Sequence, residues 1–274
     1  MTSRKTTLTS DMLDQYRERG ILRLALPESA VGLCREFLEE VSVWLKGMKG
    51  VESVPSELST TLPAIAAQDR ALVARLYKVA RRLPSVKRLA CDPWLTDVSA
   101  QLMGTALASC CHFVNVRMDL PGEEKYLLPP HQDFPYIQGS LNGITWWIPY
   151  AATPLPVGPP SWIPGSHKMG VLRVEEFDYA STGSSGGRSF RIVEAERFKD
   201  ADFVQEPVAF GEALVFSTLL LHRSEPNSSH SARLNIQVRF DDALAQESFL
   251  RNYPEGLYLG DAFAKNYPEY VDNG

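Results

Sequence analysis

The sequence predicts a mainly β fold with flanking helices (α+β), a sandwich or barrel that carries helices on its outside. Three observations predict it. Apolar residues recur at helical spacing through the first hundred or so positions. From Ser109 onward they alternate in short, β-branched runs. Pro- and Gly-rich loops such as "TPLPVGPPSWIPGSH" separate those runs. A single domain over 1–274 is expected, with a mainly helical flank over 1–108 and a β core over 109–245.

The first helix is "TSDMLDQYRERG", with Ser10 as its cap and Gly20 as its stop. The second, "ESAVGLCREFLEEVSVWLKGMKG", places Val31, Leu33, Phe37, Leu38, Val41 and Leu45 on one face. "AIAAQDRALVARLYKVARRL" and "PSVKRLACDPWLTDVSAQLMG" read as two more helices, the latter broken or opened by Pro93. The strands are "CHFVNVRMDL", "GITWWIPYA", "EALVFSTLLLH" and "RLNIQVRF". "YASTGSSGGRSFRIVEAERF" is rich in Ser and Gly and is expected to be a mobile surface loop. The span 176–202 is then either a tolerated insertion or an active-site lid.

Bulk properties exclude several function classes. A net charge of -5 gives no electrostatic case for nucleic acid or an anionic membrane. There is no long apolar run of spanning length and no signal-like N-terminus. The four cysteines, Cys34, Cys91, Cys110 and Cys111, have no CxxC spacing. They fit structural thiols in a reducing compartment, so a soluble, cytoplasmic protein is expected.

The chemistry rests on few residues. The chain has five histidines, and two of them stand out. His131 and Asp133 in "LLPPHQDFPY" are two apart, so an extended backbone turns both to one side. HxD alone is a common chance pattern. His222, at the end of the apolar run "ALVFSTLLLH", and Arg233, opening "RLNIQVRF", make it specific. Two histidines and one carboxylate form the facial triad of non-haem Fe(II) oxygenases, which leaves positions open for co-substrate and dioxygen. His112, His167 and His230 are read as structural or surface residues.

With these pieces in place the chain resembles the phytanoyl-CoA dioxygenase-type branch of the Fe(II)/2-oxoglutarate-dependent oxygenases. The matching segments are "HQD", "WWIPY", "IPGSH", "GEALVFSTLLLHRSEPN" and "RLNIQVRF", with "LDQYRERGILRL" near the start. The resemblance implies a double-stranded β-helix (jelly-roll) core. It implies that His131, Asp133 and His222 hold Fe(II), and that Arg233 and Ser224 hold the distal carboxylate of 2-oxoglutarate, with O2 as the oxidant. Trp147 matches the aromatic on the strand after HxD, whereas Trp146 faces the other way. Halogenating relatives replace the carboxylate by a small residue; Asp133 therefore favours hydroxylation of an unactivated C–H, or desaturation, cyclisation or epimerisation with the same cofactors.

The remaining positions follow from alternation. Asn115 and Arg117 share a face, and one of them is expected to meet co-substrate or substrate. Thr145 shares Trp147's face and is a similar candidate. Arg239 shares Arg233's face and meets either substrate or a salt-bridge partner. Phe134, Pro135 and Tyr136 beside the HxD, and Arg188 and Arg191 in the lid candidate, are candidate substrate contacts or plain loop cover. Two rivals stay open, a jelly-roll metalloenzyme that does not use 2-oxoglutarate and a non-catalytic binding protein on the same fold.

Overall fold

The structure is a computed structural model that describes residues 8–49, 57–178, 188–256 and 262–272. The chain opens with α1 (Ser10–Arg19), β1 (Ile21–Ala25) and α2 (Glu28–Lys49). Thr9, not Ser10, caps α1 by accepting from the Met12 amide, and Gly20 ends it in the left-handed conformation. The segment read as one helix is two, α3 (Leu58–Gln68) and α4 (Arg70–Ala80). Asp69 divides them because its side chain accepts from Leu72 N, which makes it an N-cap rather than a helix interior. α5 (Pro84–Ala90) and α6 (Pro93–Met103) separate where expected, with Asp92 accepting from both Trp94 N and Leu95 N.

The β elements are β2 (Ala108–Cys110), β3 (Asn115–Asp119), β4 (Ile144–Pro149), β5 (Ser161–Trp162), β6 (Val174–Asp178), β7 (Arg188–Ile192), β8 (Val204–Gln205), β9 (Glu212–Ser217), β10 (His222–Arg223) and β11 (Arg233–Asp242). A short helix, α7 (Phe134–Ile137), lies before β4, and α8 (Gln246–Leu250) and α9 (Phe263–Asn266) follow β11. The larger antiparallel sheet runs β1-β9-β4-β11-β2, with β3 also on β11; the smaller runs β10-β5-β8. Trp147, Leu214 and Phe216 of the larger sheet pack on Trp162 and Val204 of the smaller. Two antiparallel sheets closed face to face in this way, with helices outside, form a jelly roll.

Strand β11 shows how the pattern builds both core and site. Leu234, Ile236, Val238 and Phe240 are buried in the main core with Phe37, Val41, Leu72 and Leu76 of the helices. The alternate residues Arg233, Asn235, Gln237 and Arg239 turn the other way and line a cavity between the sheets. Trp146 is likewise core: its Nε1 donates to Ser99 Oγ at 2.8 Å, deep behind the sheet. α4 is two-faced in the same sense. Leu72, Val73, Leu76 and Ala80 are buried, while Arg70, Ala74, Tyr77 and Lys78 border the cavity.

Two sequence expectations change here. The run 212–222 is not one strand: β9 stops at Ser217, a turn follows, and His222 begins β10 in the other sheet. The span 176–202 is not a featureless loop in its described part. β6 and β7 pair as a hairpin, two 3-10 turns follow at Ala195–Arg197 and Asp200–Asp202, and Val174, Phe190 and Ile192 are buried with Phe263 and Tyr267. Residues 179–187, which hold the Gly-rich part of the loop read as either an insertion or a lid, lie outside the described residues.

The Asp92 cap is a measurable joint of the helical flank, because α6 carries Ser99 to Trp146. Asp92→Ala is expected to lower stability by about 1–2 kcal/mol. The check is a shifted urea midpoint with unchanged m-value and unchanged 2-oxoglutarate affinity.

Candidate metal and co-substrate site

His131 and His222 are held together by the backbone. His131 N donates to His222 O at 2.9 Å and His222 N donates to His131 O at 3.0 Å, an antiparallel bridge that ties the entry of the HxD segment to β10. Asp133 is not on an extended backbone; it has φ -70 and ψ -27 and starts α7. Its carboxylate reaches the histidines through this bend rather than through strand alternation. Gln132, between them, is buried and fixes the bend: its Nε2 donates to Gly170 O and Leu219 O, and its Oε1 accepts from Leu172 N.

All three side chains are buried, and one ligand atom from each lies within 4.8 Å of the others. Asp133 Oδ1 is 3.7 Å from His131 Nε2 and 3.8 Å from His222 Nε2. The Nδ1 atoms are engaged elsewhere, at 2.7 Å from Pro129 O and 2.9 Å from Leu220 O. A carbonyl oxygen only accepts, so each ring carries its proton on Nδ1 and presents a bare Nε2 to the common centre. Asp133 Oδ2 is occupied on the opposite side by Thr145 Oγ1 at 2.7 Å and by the Arg239 guanidinium at 3.1 Å. Both partners are direct neighbours across the sheet, since Thr145 on β4 pairs with Arg239 on β11. Thr145 and Arg239 therefore act on the carboxylate ligand, and the salt bridge accounts for Arg239.

The electrostatics keep the triad ready for a cation. Burial, with His222 beside it, drives His131 down to about 3. His222 is also lowered, chiefly by burial. Burial alone would raise Asp133, but Arg239 and the two imidazoles hold it well below the usual carboxylate range. Two neutral imidazoles and one carboxylate are the donor set that a divalent iron takes.

A second buried node sits at the other end of β11. Arg233 Nε donates to Asp119 Oδ2 at 3.0 Å, and its Nη1 donates to Gly158 O and to Glu225 O. Asp119 also takes Arg117, through Nη2 at 2.7 Å. The two arginines hold Asp119 below the carboxylate range against the opposing effect of burial. Arg233 therefore does not offer a free fork: two of its nitrogens are used, and Nη2 has no protein partner among the described residues. Sequence reading missed Asp119, although it continues the face of Asn115 and Arg117.

The cavity of about 840 Å³ joins these nodes. His131, Asp133, His222, Arg233, Ser224, Trp147, Thr145, Asn115, Arg117, Arg239 and Tyr136 all line it, so both Asn115 and Arg117 face the site. Asn115 Nδ2 donates to Gln237 Oε1 at 3.3 Å. Tyr136 sets its ring edge-on to His131, with centroids 5.7 Å apart. Phe134 does not reach the cavity; the bend at Asp133 sends its ring against Phe263 and Tyr267. Arg188 and Arg191 are on hairpin strand β7; Arg191 does not line the cavity, and the Arg188 side chain lies outside the described part of the structure. Two buried donors on the wall, Asn235 Nδ2 and Arg239 Nη1, have no partner among the described residues. Orphaned buried donors are costly unless an oxygen-bearing ligand completes them, which suits an oxo acid.

A family model for phytanoyl-CoA dioxygenase (PhyH) matches residues 25–235. The chain belongs to the phytanoyl-CoA dioxygenase family. It is a 2-oxoglutarate-dependent non-haem iron dioxygenase. A methylphosphonate hydroxylase of Gimesia maris is 25% identical over 254 residues, covering 90% of this chain and 86% of that protein. Among solved structures, the epimerase SnoN in complex with Fe3+, alpha ketoglutarate and nogalamycin RO aligns at a TM-score of 0.56 and 18% identity, over 85% of this chain and 83% of that one. EvdO2 from Micromonospora carbonacea var. aurantiaca, complexed with 2-oxoglutarate, aligns at 0.55 and 17%, over 86% and 92%. Among the described residues of this family member, no helix is long and apolar enough to cross a membrane.

The site yields two expectations. Metal affinity falls with acid only when the ligands gain protons, and here the imidazoles protonate below the ordinary His range. Two ordinary imidazoles would weaken Co(II) binding roughly a hundredfold between pH 7.5 and 5.5; this pair is expected to lose less than about tenfold, by calorimetry with folding followed in parallel. Removing a hydrogen bond to a ligand carboxylate costs about 10–100-fold in metal affinity. Thr145→Val is therefore expected to weaken Co(II) binding by that factor while leaving the fold intact.

Proposed function

We propose that this dioxygenase hydroxylates an unactivated C–H of a small molecule, releasing succinate and CO2. One observation carries the reading: Asp133 Oδ1 faces both imidazole Nε2 atoms while Oδ2 is held from behind. In this arrangement His131, Asp133 and His222 would hold the iron, and Asp133 stands where halogenating relatives have a small residue. Bound iron supplies the activation of dioxygen, coupled to decarboxylation of 2-oxoglutarate. The chain's own residues do the rest. Arg233, through Nη2, and Ser224 bind the distal carboxylate. Asn115 and Asn235 donate along the co-substrate wall, and Trp147 packs that wall. Thr145 and Arg239 orient Asp133. Tyr136 covers His131 and limits water at the reacting centre.

The hydroxylase name of the Gimesia maris relative supports hydroxylation over the other outcomes of the same cofactors. The single jelly-roll domain with its helical flank is the catalytic unit. Cys34, Cys91, Cys110 and Cys111 are free thiols, which agrees with a reducing, cytoplasmic setting.

The test is succinate release from 2-oxoglutarate with Fe(II) and ascorbate, combined with product mass. A product heavier by one oxygen atom supports hydroxylation; one lighter by two hydrogens points to desaturation or ring closure. His131→Ala, Asp133→Ala and His222→Ala are each expected to abolish succinate release. Loss of one charge-assisted hydrogen bond costs about 1.5–3 kcal/mol, so Arg233→Ala is expected to raise the 2-oxoglutarate Kd about tenfold or more. Wild-type turnover in Asp133→Ala would remove the triad assignment.

A further inference from the structure

The cavity carries more positive charge than the metal and co-substrate nodes use. Seven cationic side chains line it: Arg70, Lys78, Arg81, Arg117, Arg223, Arg233 and Arg239. Five have acidic partners. Arg70 is bidentate to Glu123, with Nε to Oε1 at 2.8 Å and Nη2 to Oε2 at 2.9 Å. Arg223 meets Asp200 and Glu225. Arg239 is on Asp133, and Arg117 and Arg233 share Asp119, an excess of one charge that the distal carboxylate of 2-oxoglutarate would balance. Lys78 and Arg81 have no acidic partner among the described residues. Arg81 lies only over the Phe113 ring, 5.8 Å from its centroid.

Their placement is fixed rather than loose. The Arg70–Glu123 pair pins the start of α4 to the segment after β3. In its third turn, Tyr77 Oη accepts from Met118 N at 2.7 Å. These two ties turn the face of Ala71, Ala74 and Lys78, with Arg81 at the helix end, onto the cavity that also holds the metal triad. The C-terminal end of a helix favours cations through its own dipole. That effect serves Arg82, just past the helix end, as well, yet Arg82 does not line the cavity, and neither does Arg75 from mid-helix.

We propose that Lys78 and Arg81 form an anion subsite of the substrate pocket, so that the substrate is a small molecule with a carboxylate or phosphonate group at the end away from the oxidised C–H. The proposal rests on the dioxygenase reading. The balanced reaction is substrate C–H plus 2-oxoglutarate plus O2 giving substrate C–OH, succinate and CO2. The anionic group is not consumed: it docks against the α4 cations, while Ala71, Ala74, Phe113 and Leu128 take the apolar body.

The experiment uses the full chain loaded with Co(II) and saturating 2-oxoglutarate, without turnover. Probes are pairs of acids and their neutral methyl esters: alkyl- and arylcarboxylates in one arm, methyl- and longer alkylphosphonates in the other. Binding is read by tryptophan fluorescence and calorimetry. At least one acid is expected to bind tenfold or more tightly than its ester, with that preference weakening at high salt. Lys78→Ala/Arg81→Ala is expected to erase the preference, whereas Arg75→Ala/Arg82→Ala, an equal loss of charge off the cavity wall, leaves it. The stronger arm identifies the anion. An acid preference that survives in the double variant, tighter binding of the esters, or no acid binding beside bound 2-oxoglutarate overturns the proposal. Failure of 2-oxoglutarate itself to bind overturns the dioxygenase reading instead.

Discussion

The structure depends on how one buried carboxylate divides its two oxygens. Asp133 gives Oδ1 to the space shared by His131 and His222 and Oδ2 to Thr145 and Arg239. A lone carboxylate at this depth would protonate and lose its value as a ligand. Arg239 prevents that, and Arg239 itself stays buried only because Asp133 is there. Thr145 and Arg239 face each other across β4 and β11, so the second half of the metal site is an ordinary cross-strand pair. The register of the central sheet is thereby a condition of the chemistry. A slip of one residue would turn Arg239 and Arg233 into the core and Phe240 and Leu234 into the cavity.

The same device is used twice on β11. Near its start, Arg233 sits directly across from Asp119 on β3; near its end, Arg239 sits across from Thr145. Each arginine is oriented by an acid and keeps one nitrogen without a protein partner among the described residues, Nη2 in Arg233 and Nη1 in Arg239. A planar fork anchored at one edge loses little rotamer freedom when a ligand arrives at the other. The pairing that looks like neutralisation is also preorganisation.

The His131–Asp133–His222 cluster and the strands β4 and β11 were legible in the sequence because each rests on a local or repeating pattern, whereas the run expected as a strand from Cys111 pairs only from Asn115. HxD is local, β11 alternates with period two, and the distal His and Arg follow in one continuous stretch. What was not legible depends on where the chain bends. Nothing in "HQDFPY" announces that Asp133 turns into a short helix, so Phe134 read as a pocket residue and became core. The run "ALVFSTLLLH" is apolar throughout, so alternation could not show the turn that moves His222 into the other sheet. Arg239 was placed on the correct face by periodicity, but its partner lies far away in sequence, and only the closed sheet identifies it. The α4 face was invisible for a similar reason. Arg70, Tyr77 and Lys78 look like the solvent side of an amphipathic helix until β3 and its following loop fix which direction that side meets.

These placements separate two tasks. In the proposed site the sheets carry the residues for iron and co-substrate: His222 on the smaller sheet with His131 bridged to it, and Thr145, Arg233 and Arg239 on the larger one. The wall opposite comes from α4, a helix outside the jelly roll that touches the site through exposed-type positions. Core residues of α4 answer to packing and Arg70 and Tyr77 tie it to β3 and the segment after it, whereas Lys78 and Arg81 have no acidic partner among the described residues. Changing Lys78 or Arg81 leaves every contact of the triad in place, since no hydrogen bond joins those side chains to it. A fold arranged in this way can exchange substrates by altering one helix face without disturbing the buried charges that make the reaction possible. The charge left unpaired on that face is therefore the part of the site that the proposed anion subsite draws on.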